Sequence, residues 1–368
     1  MRVCALAFAV AAAISTAHVG ASQPASPLQN TGFDSNLRGV SVSAMGAGKH
    51  VLWISGSRGI VARSLDEGSS WQQLKIDGAA DLDFRDVEGF GAAVAYVMSS
   101  GDGEQSRIYK TTDGGKSWSL QYTNKRPGFF LDSLVCESPA RCFALSDPVE
   151  GKFLLLSTND GQHWRELPRD KMPAALPTEG AFAASGTSIA LCNNDIYFGT
   201  GGPAARVFHS ADHGRSWTVV ETPMASGNAS SGIFSIACHG HSLVAVGGDY
   251  KEPAKPNQVA IYSQDSGTTW HLAAQQPGGY RSAVAFLSGR RCVAVGTNGS
   301  DISNDAGVHW RHLDTFNLNA IGVRAGASCA VGPKGTVVPV SQQSQVALRD
   351  VYRTSIDTNS PAFFPTAR

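Results

Sequence analysis

The chain has 368 residues, a length that two average domains could fill. Lysine and arginine (30) balance aspartate and glutamate (30), so net charge implies no polyanionic partner and argues against general nucleic-acid binding.

At the N-terminus, Arg2 precedes an apolar run over residues 3–14 and a small-residue site ending Val19-Gly20-Ala21. This pattern predicts a secretory signal peptide over residues 1–21, cut after Ala21. The run is too short to span a bilayer, so no stable membrane insertion is expected. Cys4 lies at the start of the run, which argues against a lipoprotein anchor. The expected location is periplasmic or secreted. Residues 22–27 (SQPASP) read as a linker.

One eight-residue phrase, Ser/Thr-x-Asp/Asn-x-Gly-x-x-Trp, then recurs six times, at 64–71, 111–118, 157–164, 210–217, 263–270 and 303–310. The copies start 47, 46, 53, 53 and 40 residues apart, the mark of a tandem array of one supersecondary unit. Short apolar runs precede the copies, such as Leu154-Leu155-Leu156 and Ala260-Ile261-Tyr262, and a further strand begins at each tryptophan. Each phrase therefore reads as a hairpin loop. Its hydroxyl and carboxylate accept backbone N–H bonds, its glycine takes positive φ, and its tryptophan is an apolar plug whose indole N–H needs a partner. The phrase is identified as the Asp-box, or BNR repeat. That resemblance implies propeller blades with the phrase between their third and fourth strands, away from any active site. Asp66, Asp113, Asn159, Asp212, Asp265 and Asp305 then have structural roles. One or two carboxylates per copy make poor metal sites, and no metal or cofactor is expected.

Aligned on the phrases, second strands fall at 51–55, 92–98, 142–146, 188–192, 243–247 and 292–296, as apolar runs closed by small residues. A seventh unit begins near Leu318, with a second strand at 329–332 and a third at 335–340, but lacks the phrase and a fourth strand. An open edge invites aggregation, and residues 28–33 can supply the missing strand. The expectation is an all-β, seven-bladed propeller over 28–340, with six blades as the alternative. Residues 341–368 lack periodicity and read as a tail.

Six cysteines remain after the leader. Cys136 and Cys142 flank a five-residue turn and are expected to form a disulfide. The pairing of Cys192, Cys238, Cys292 and Cys329 stays open. No Cys-x-x-Cys pair exists to favour zinc. His163, His213 and His309 sit within the phrases as turn residues, and the glycine-rich 198–202 lacks the Lys-Ser/Thr of a phosphate loop.

The propeller alignment also indicates a functional face. Loops at 76–82, 122–130, 167–180, 220–232 and 275–280 link fourth strands to first ones. Loops at 99–106, 147–152, 193–205 and 247–258 link second strands to third ones. Several exceed the needs of a hairpin, and long loops on one rigid face point to binding. Arg38, Arg85, Asp132, Glu179, Ser231, Arg281 and Asn319 enter the first strands and would ring the channel mouth, with Asp249, Tyr250 and Tyr280 on the same face. Such a ring could fix an anionic or polar ligand, or its charges could pair with one another across the channel.

Residues 37–340 resemble the photosystem II stability/assembly-factor-like propellers. The resemblance rests on LRGVSV (37–42), SRIYKTTDGGKSW (106–118), LSDPVEGKF (145–153), EGAFAASG (179–186), RVFHSADHGRSW (206–217), VGGDY (246–250) and GYRSAV (279–284). It implies a seven-bladed propeller that binds a protein partner or an assembling complex. The expected role is binding of a protein partner, a polar or anionic small ligand or a glycan, by a monomer and without turnover. The alternative is glycoside hydrolysis. Arg38, Arg85 and Arg281 could imitate a sialidase arginine triad, with Tyr250 or Tyr280 as nucleophile, or Glu179 could act with Asp132 or Asp249. The sialidase Phe/Tyr-Arg-Ile-Pro motif is missing from the first blade; only Phe84-Arg85-Asp86, opening the second, comes near.

Overall fold

The apolar runs fold as strands of seven antiparallel units, six of four strands and one of five, the extra strand being the two-residue Gly201–Gly202 on the inner edge of the fifth unit, and each unit is built mainly of consecutive hairpins. The computed structural model describes residues 29–324 and 326–340. The predicted leader (1–21), linker (22–27) and tail (341–368) lie outside the described residues. From the innermost strand outward, blade 1 is Leu37–Gly46, Lys49–Gly56, Val61–Ser64 and Gln72–Leu74. Blade 2 is Asp83–Phe90, Val94–Ser100, Arg107–Thr111 and Ser119–Thr123. Blade 3 is Leu131–Ser138, Arg141–Val149, Lys152–Thr158 and Arg165–Glu166. Blade 4 is Ile189–Cys192, Asp195–Gly199, Arg206–Ser210 and Thr218–Glu221. Blade 5 is Asn228–His239, Ser242–Asp249, Ala260–Ser263 and His271–Leu272. Blade 6 is Ala283–Ser288, Arg291–Gly296, Gly299–Ser303 and Arg311–Asp314.

Blade 7 closes the ring. Its inner three strands are Ala320–Arg324, Ala327–Val331 and Thr336–Val340. Its outer strand is the N-terminal Gln29–Asn30, in register Gln29↔Val337 and Asn30↔Thr336. Seven apolar cores lie between neighbouring blades. The blade 7–blade 1 core joins Ala320, Cys329, Val331 and Val337 to Leu37, Leu52 and Ile54. Second strands are packed on both faces, which is why they read as continuous apolar runs instead of alternating ones.

In blade 4 the strand expected at 188–192 as the second is the innermost one, and the second is Asp195–Gly199. The expected 193–205 loop is thus split. Asn193 and Asn194, with φ of 52° and 82°, make the turn between the first two strands. Polar asparagines tolerate the left-handed conformation this turn needs.

The repeated phrases occupy the turns between third and outer strands. In blade 1, Ser64 donates to Asp66 at 2.7 Å and accepts the Gly68 N–H at 2.8 Å. Asp66 in turn accepts the Ser70 N–H at 2.8 Å. Hydrogen bonds from the Ser117 hydroxyl, then from its N–H, hold the Asp113 carboxyl down at about 2. Five copies place two successive residues in the left-handed region, as at Glu67 (φ 58°) and Gly68 (φ 95°). The copy in blade 3 departs from the expected register, because Asn159 does not hold its turn. Asp160 does, accepting the N–H groups of Gln162 and His163 at 2.9 and 2.8 Å, while Thr158 replaces the first serine. Gly161 (φ 68°) is the one left-handed residue there, so the turn is one residue tighter.

The tryptophans also divide. Trp217, Trp270 and Trp310 are buried and donate to the carbonyls of Gly214, Gly267 and Gly307 at 3.2, 3.1 and 3.0 Å. Trp71, Trp118 and Trp164, expected to be buried too, are half-buried. Trp310→Ala should therefore cost about 3–5 kcal/mol. Trp71→Ala should cost distinctly less, and equal shifts in urea unfolding would contradict the difference in burial.

Cys136 pairs with Cys142 across directly opposed strand positions. The open pairing resolves into Cys192–Cys238, which joins the inner strands of blades 4 and 5. Cys292 and Cys329 are buried free thiols inside inter-blade cores, and burial pushes both up to about 12.

Candidate functional site

The connection entering blade 4 decides the shape of the channel mouth. Instead of climbing directly into a strand, residues 181–187 bond to the inner ends of four other blades. The Ala181 N–H reaches Asp147 of blade 3 at 2.9 Å, and Arg85 of blade 2 donates to the Ala183 carbonyl at 3.1 Å. Ser133 of blade 3 donates to the Gly186 carbonyl. Ser185 donates to the Ser282 carbonyl beside blade 6 at 2.9 Å, and the Thr187 hydroxyl meets Ser235 of blade 5 at 2.7 Å. The segment, AFAASGT, crosses the channel. Apart from Phe182, its side chains are small and suit a narrow passage. At Gly186 (φ +73°) an added Cβ would lie 2.3 Å from the Asp86 carboxyl carbon.

Above this crossing opens a cavity of about 520 Å³. Of the residues expected at the mouth, Arg38, Arg85, Asp132, Tyr250, Tyr280 and Asn319 line it. Asn36, Phe130, Asp147, Phe182 and Phe234, which sequence reasoning did not select, line it too. Asp147 and Phe182 lie in the family-like stretches LSDPVEGKF and EGAFAASG, the one signal that could have marked them.

Two expected contacts are absent from this lining because their charges are used internally. Glu179 is buried, accepts from Arg206 Nε at 2.8 Å and Thr200 at 2.6 Å, and takes the Leu176 N–H at 2.8 Å. Arg281 is 1% exposed; its Nε donates to Asp301 at 2.7 Å and its Nη1 to Asn298 at 2.6 Å. Neither group can reach a ligand without breaking these bonds, since a buried charge requires its partners. Asp249 is also outside the lining, at the rim, accepting from Asn228 and from the Lys251 N–H.

The cavity has three chemically distinct walls. Blades 1 and 2 give a basic one. Asp83 binds Arg85 Nε at 2.8 Å and touches Arg38 Nε only at 4.0 Å. One carboxylate therefore serves two guanidiniums, and Arg38 Nε is buried with no hydrogen-bond partner among the described residues. Burial, and then the Arg85 charge, pull the Arg38 guanidinium below its ordinary value. Blade 3 gives an acidic wall of Asp132 and Asp147. Blades 5 and 6, with the crossing segment, give an aromatic one. Phe182 stacks on Phe234 at 3.8 Å between ring centres, Tyr280 meets Phe234 edge-on at 4.8 Å, and Tyr250 is 47% exposed. Burial pushes the Tyr280 hydroxyl above its ordinary value. Among the described residues no cluster of three or more His, Cys, Asp or Glu is placed to hold a metal, and no helix is long and apolar enough to cross a membrane.

The DUF6242 β-propeller domain matches residues 36–288, more than half of the chain. The chain belongs to the DUF6242 β-propeller family. Solved structures share the fold of this DUF6242 propeller at low identity. YCF48 bound to D1 peptide is 13% identical, covering 87% of this chain and 98% of that one, with a TM-score of 0.62. YCF48 from Cyanidioschyzon merolae is 16% identical, covering 85% and 98%, with a TM-score of 0.58. Virginiamycin B lyase from Staphylococcus aureus is 14% identical, covering 86% and 99%, with a TM-score of 0.60. At such identities the likeness establishes the propeller fold alone. No curated protein matches the DUF6242 chain.

Proposed function

We propose that this chain is an exported, monomeric propeller that holds a segment of a protein partner, through an acidic group, at its channel mouth and does not turn it over. The observation that carries the reading is Arg38, whose buried Nε makes no hydrogen bond among the described residues and meets Asp83 only at 4.0 Å, where two guanidiniums share that one carboxylate. A carboxylate supplied by a ligand would satisfy it with paired, charge-assisted bonds. The aromatic wall adds apolar contact area at low entropic cost. Propellers of this shape include YCF48, whose structure carries a D1 peptide. Export is supported by the leader-like residues 1–21 and by two disulfides, which persist in oxidising compartments.

The competing reading is glycoside hydrolysis. With Glu179 engaged by Arg206, its remaining carboxyl pair in the cavity is Asp132 and Asp147. The test uses purified mature protein on an array of ten-residue peptides of varied charge, alongside aryl glycosides, sialosides and polysaccharides. Arg38→Gln should weaken carboxylate-bearing binders at least ten-fold, about 1.4 kcal/mol, with unchanged melting. Absence of any peptide binder sensitive to Arg38→Gln, or hydrolysis of a glycoside that Asp132→Asn abolishes, would overturn the proposal.

A further inference from the structure

The acidic wall of the cavity has a feature that the basic wall does not explain. Asp132 is 1% exposed, yet its Oδ2 has no hydrogen-bond partner among the described residues, and the side chain lines the cavity. Asp147 lies beside it on the neighbouring strand, where its N–H donates to the Phe130 carbonyl at 3.0 Å. Oδ1 of Asp147 accepts the Ala181 N–H at 2.9 Å, and no side-chain bond to its Oδ2 is seen among the described residues. Neither carboxyl has an ion pair with a lysine or arginine of the chain among the described residues. The basic group that acts on Asp132 is Arg85, whose bonds go to Asp83 and to the Ala183 carbonyl. Two carboxyls side by side, one of them buried with an oxygen that lacks a hydrogen bond, are costly to keep empty. Phe130, just ahead of the strand that carries Asp132, and Phe182 add apolar faces to the cavity.

We propose that Asp132 and Asp147 form a cation-accepting subsite that receives a protonated nitrogen, a lysine ammonium or an arginine guanidinium, from the same protein segment whose acidic group Arg38 holds. This deepens the binding reading and rests on it. The favoured ligand is then a segment with a basic and an acidic residue, its apolar portions laid on the aromatic wall. Specificity follows from rejection as well as attraction. A purely acidic segment leaves Asp132 unmatched, and a purely basic one meets Arg38 and Arg85.

Protonation fits the same geometry. Burial, and then the neighbouring Asp147 charge, push Asp132 well above the carboxylate range, and burial raises Asp147 to about 6. In the empty site Asp132 holds a proton that an incoming cation displaces, and Asp147 holds one only below about 6. The other charged and titratable groups that line the cavity are Arg38, Arg85, Tyr250 and Tyr280, with Asp83 behind the two guanidiniums. Binding of a lysine-bearing segment should therefore strengthen as pH rises from about 5 to about 7, because the proton on Asp147 competes below its raised value.

The experiment takes array peptides that bind and compares each with its norleucine replacement of lysine. Wild-type protein should favour the lysine form at least ten-fold at pH 7 and less at pH 5. Asp132→Asn and Asp147→Asn should remove that preference while leaving dependence on the acidic residue, and Arg38→Gln should do the reverse. Circular dichroism checks that each variant melts as the wild type does. If it does not, the pH 5-to-7 comparison on the wild type decides. Equal binding of lysine and norleucine forms, with Arg38→Gln still weakening both, would overturn the subsite and spare the binding reading. Binding indifferent to Arg38→Gln would overturn both.

Discussion

Arg281→Ala should lower the stability of the propeller by about 3–5 kcal/mol, read as a fall in the urea unfolding free energy. The side chain is 1% exposed and its partner Asp301 3% exposed, so the truncation leaves a carboxylate buried without its counter-ion. Arg281 also donates to Asn298 and to the Tyr280 carbonyl, which sits at the cavity wall. Its loss loosens the loop that carries Tyr280. The companion variant Arg281→Met with Asp301→Leu removes both charges and should recover most of the loss, because replacing a buried pair by apolar groups is often neutral or better. A single-variant change below about 1 kcal/mol would show that the pair is not buried as described.

Removing the Cys192–Cys238 bridge should be the second large effect. It closes a sequence separation of 46 residues, against 6 for Cys136–Cys142. On loop-closure entropy, the double alanine variant at the long bridge should lose about 4 kcal/mol and that at the short one about 2 kcal/mol. The long bridge also ties the inner strands of blades 4 and 5, at the end of Ile189–Cys192 away from the channel-crossing segment. Equal losses for the two variants would mean that the long bridge adds no constraint beyond its local contacts.

These effects mark how far the sequence could be read. The turn phrases were legible because their hydrogen bonds run between residues two to four apart, as from Gly68 to Ser64. The closing strand was legible because a three-strand blade leaves an unpaired edge, and residues 28–33 were the unassigned segment available to fill it. Asn159 was misassigned because the shift to Asp160 changes which oxygen caps the turn without changing the spacing from glycine to tryptophan. The mouth was half legible. Arg38, Arg85 and Asp132 could be aligned as strand entries, whereas Phe182 enters through a segment that leaves the blade pattern and Phe234 lies inside the inner strand of blade 5.

By itself the sequence determined the repeat, the blade count, the strand that closes the ring and the short disulfide, all of which follow from local periodicity or from one unmet edge. Tertiary structure decided which charges face the cavity. Arg281 and Glu179 align with Arg38 and Asp132 in the repeat, yet Asp301 and Arg206, 20 and 27 residues further on, draw them into the protein. No local pattern records whether a charged side chain meets an internal partner or is left to face a ligand, because that depends on what the neighbouring strands bring to the same point.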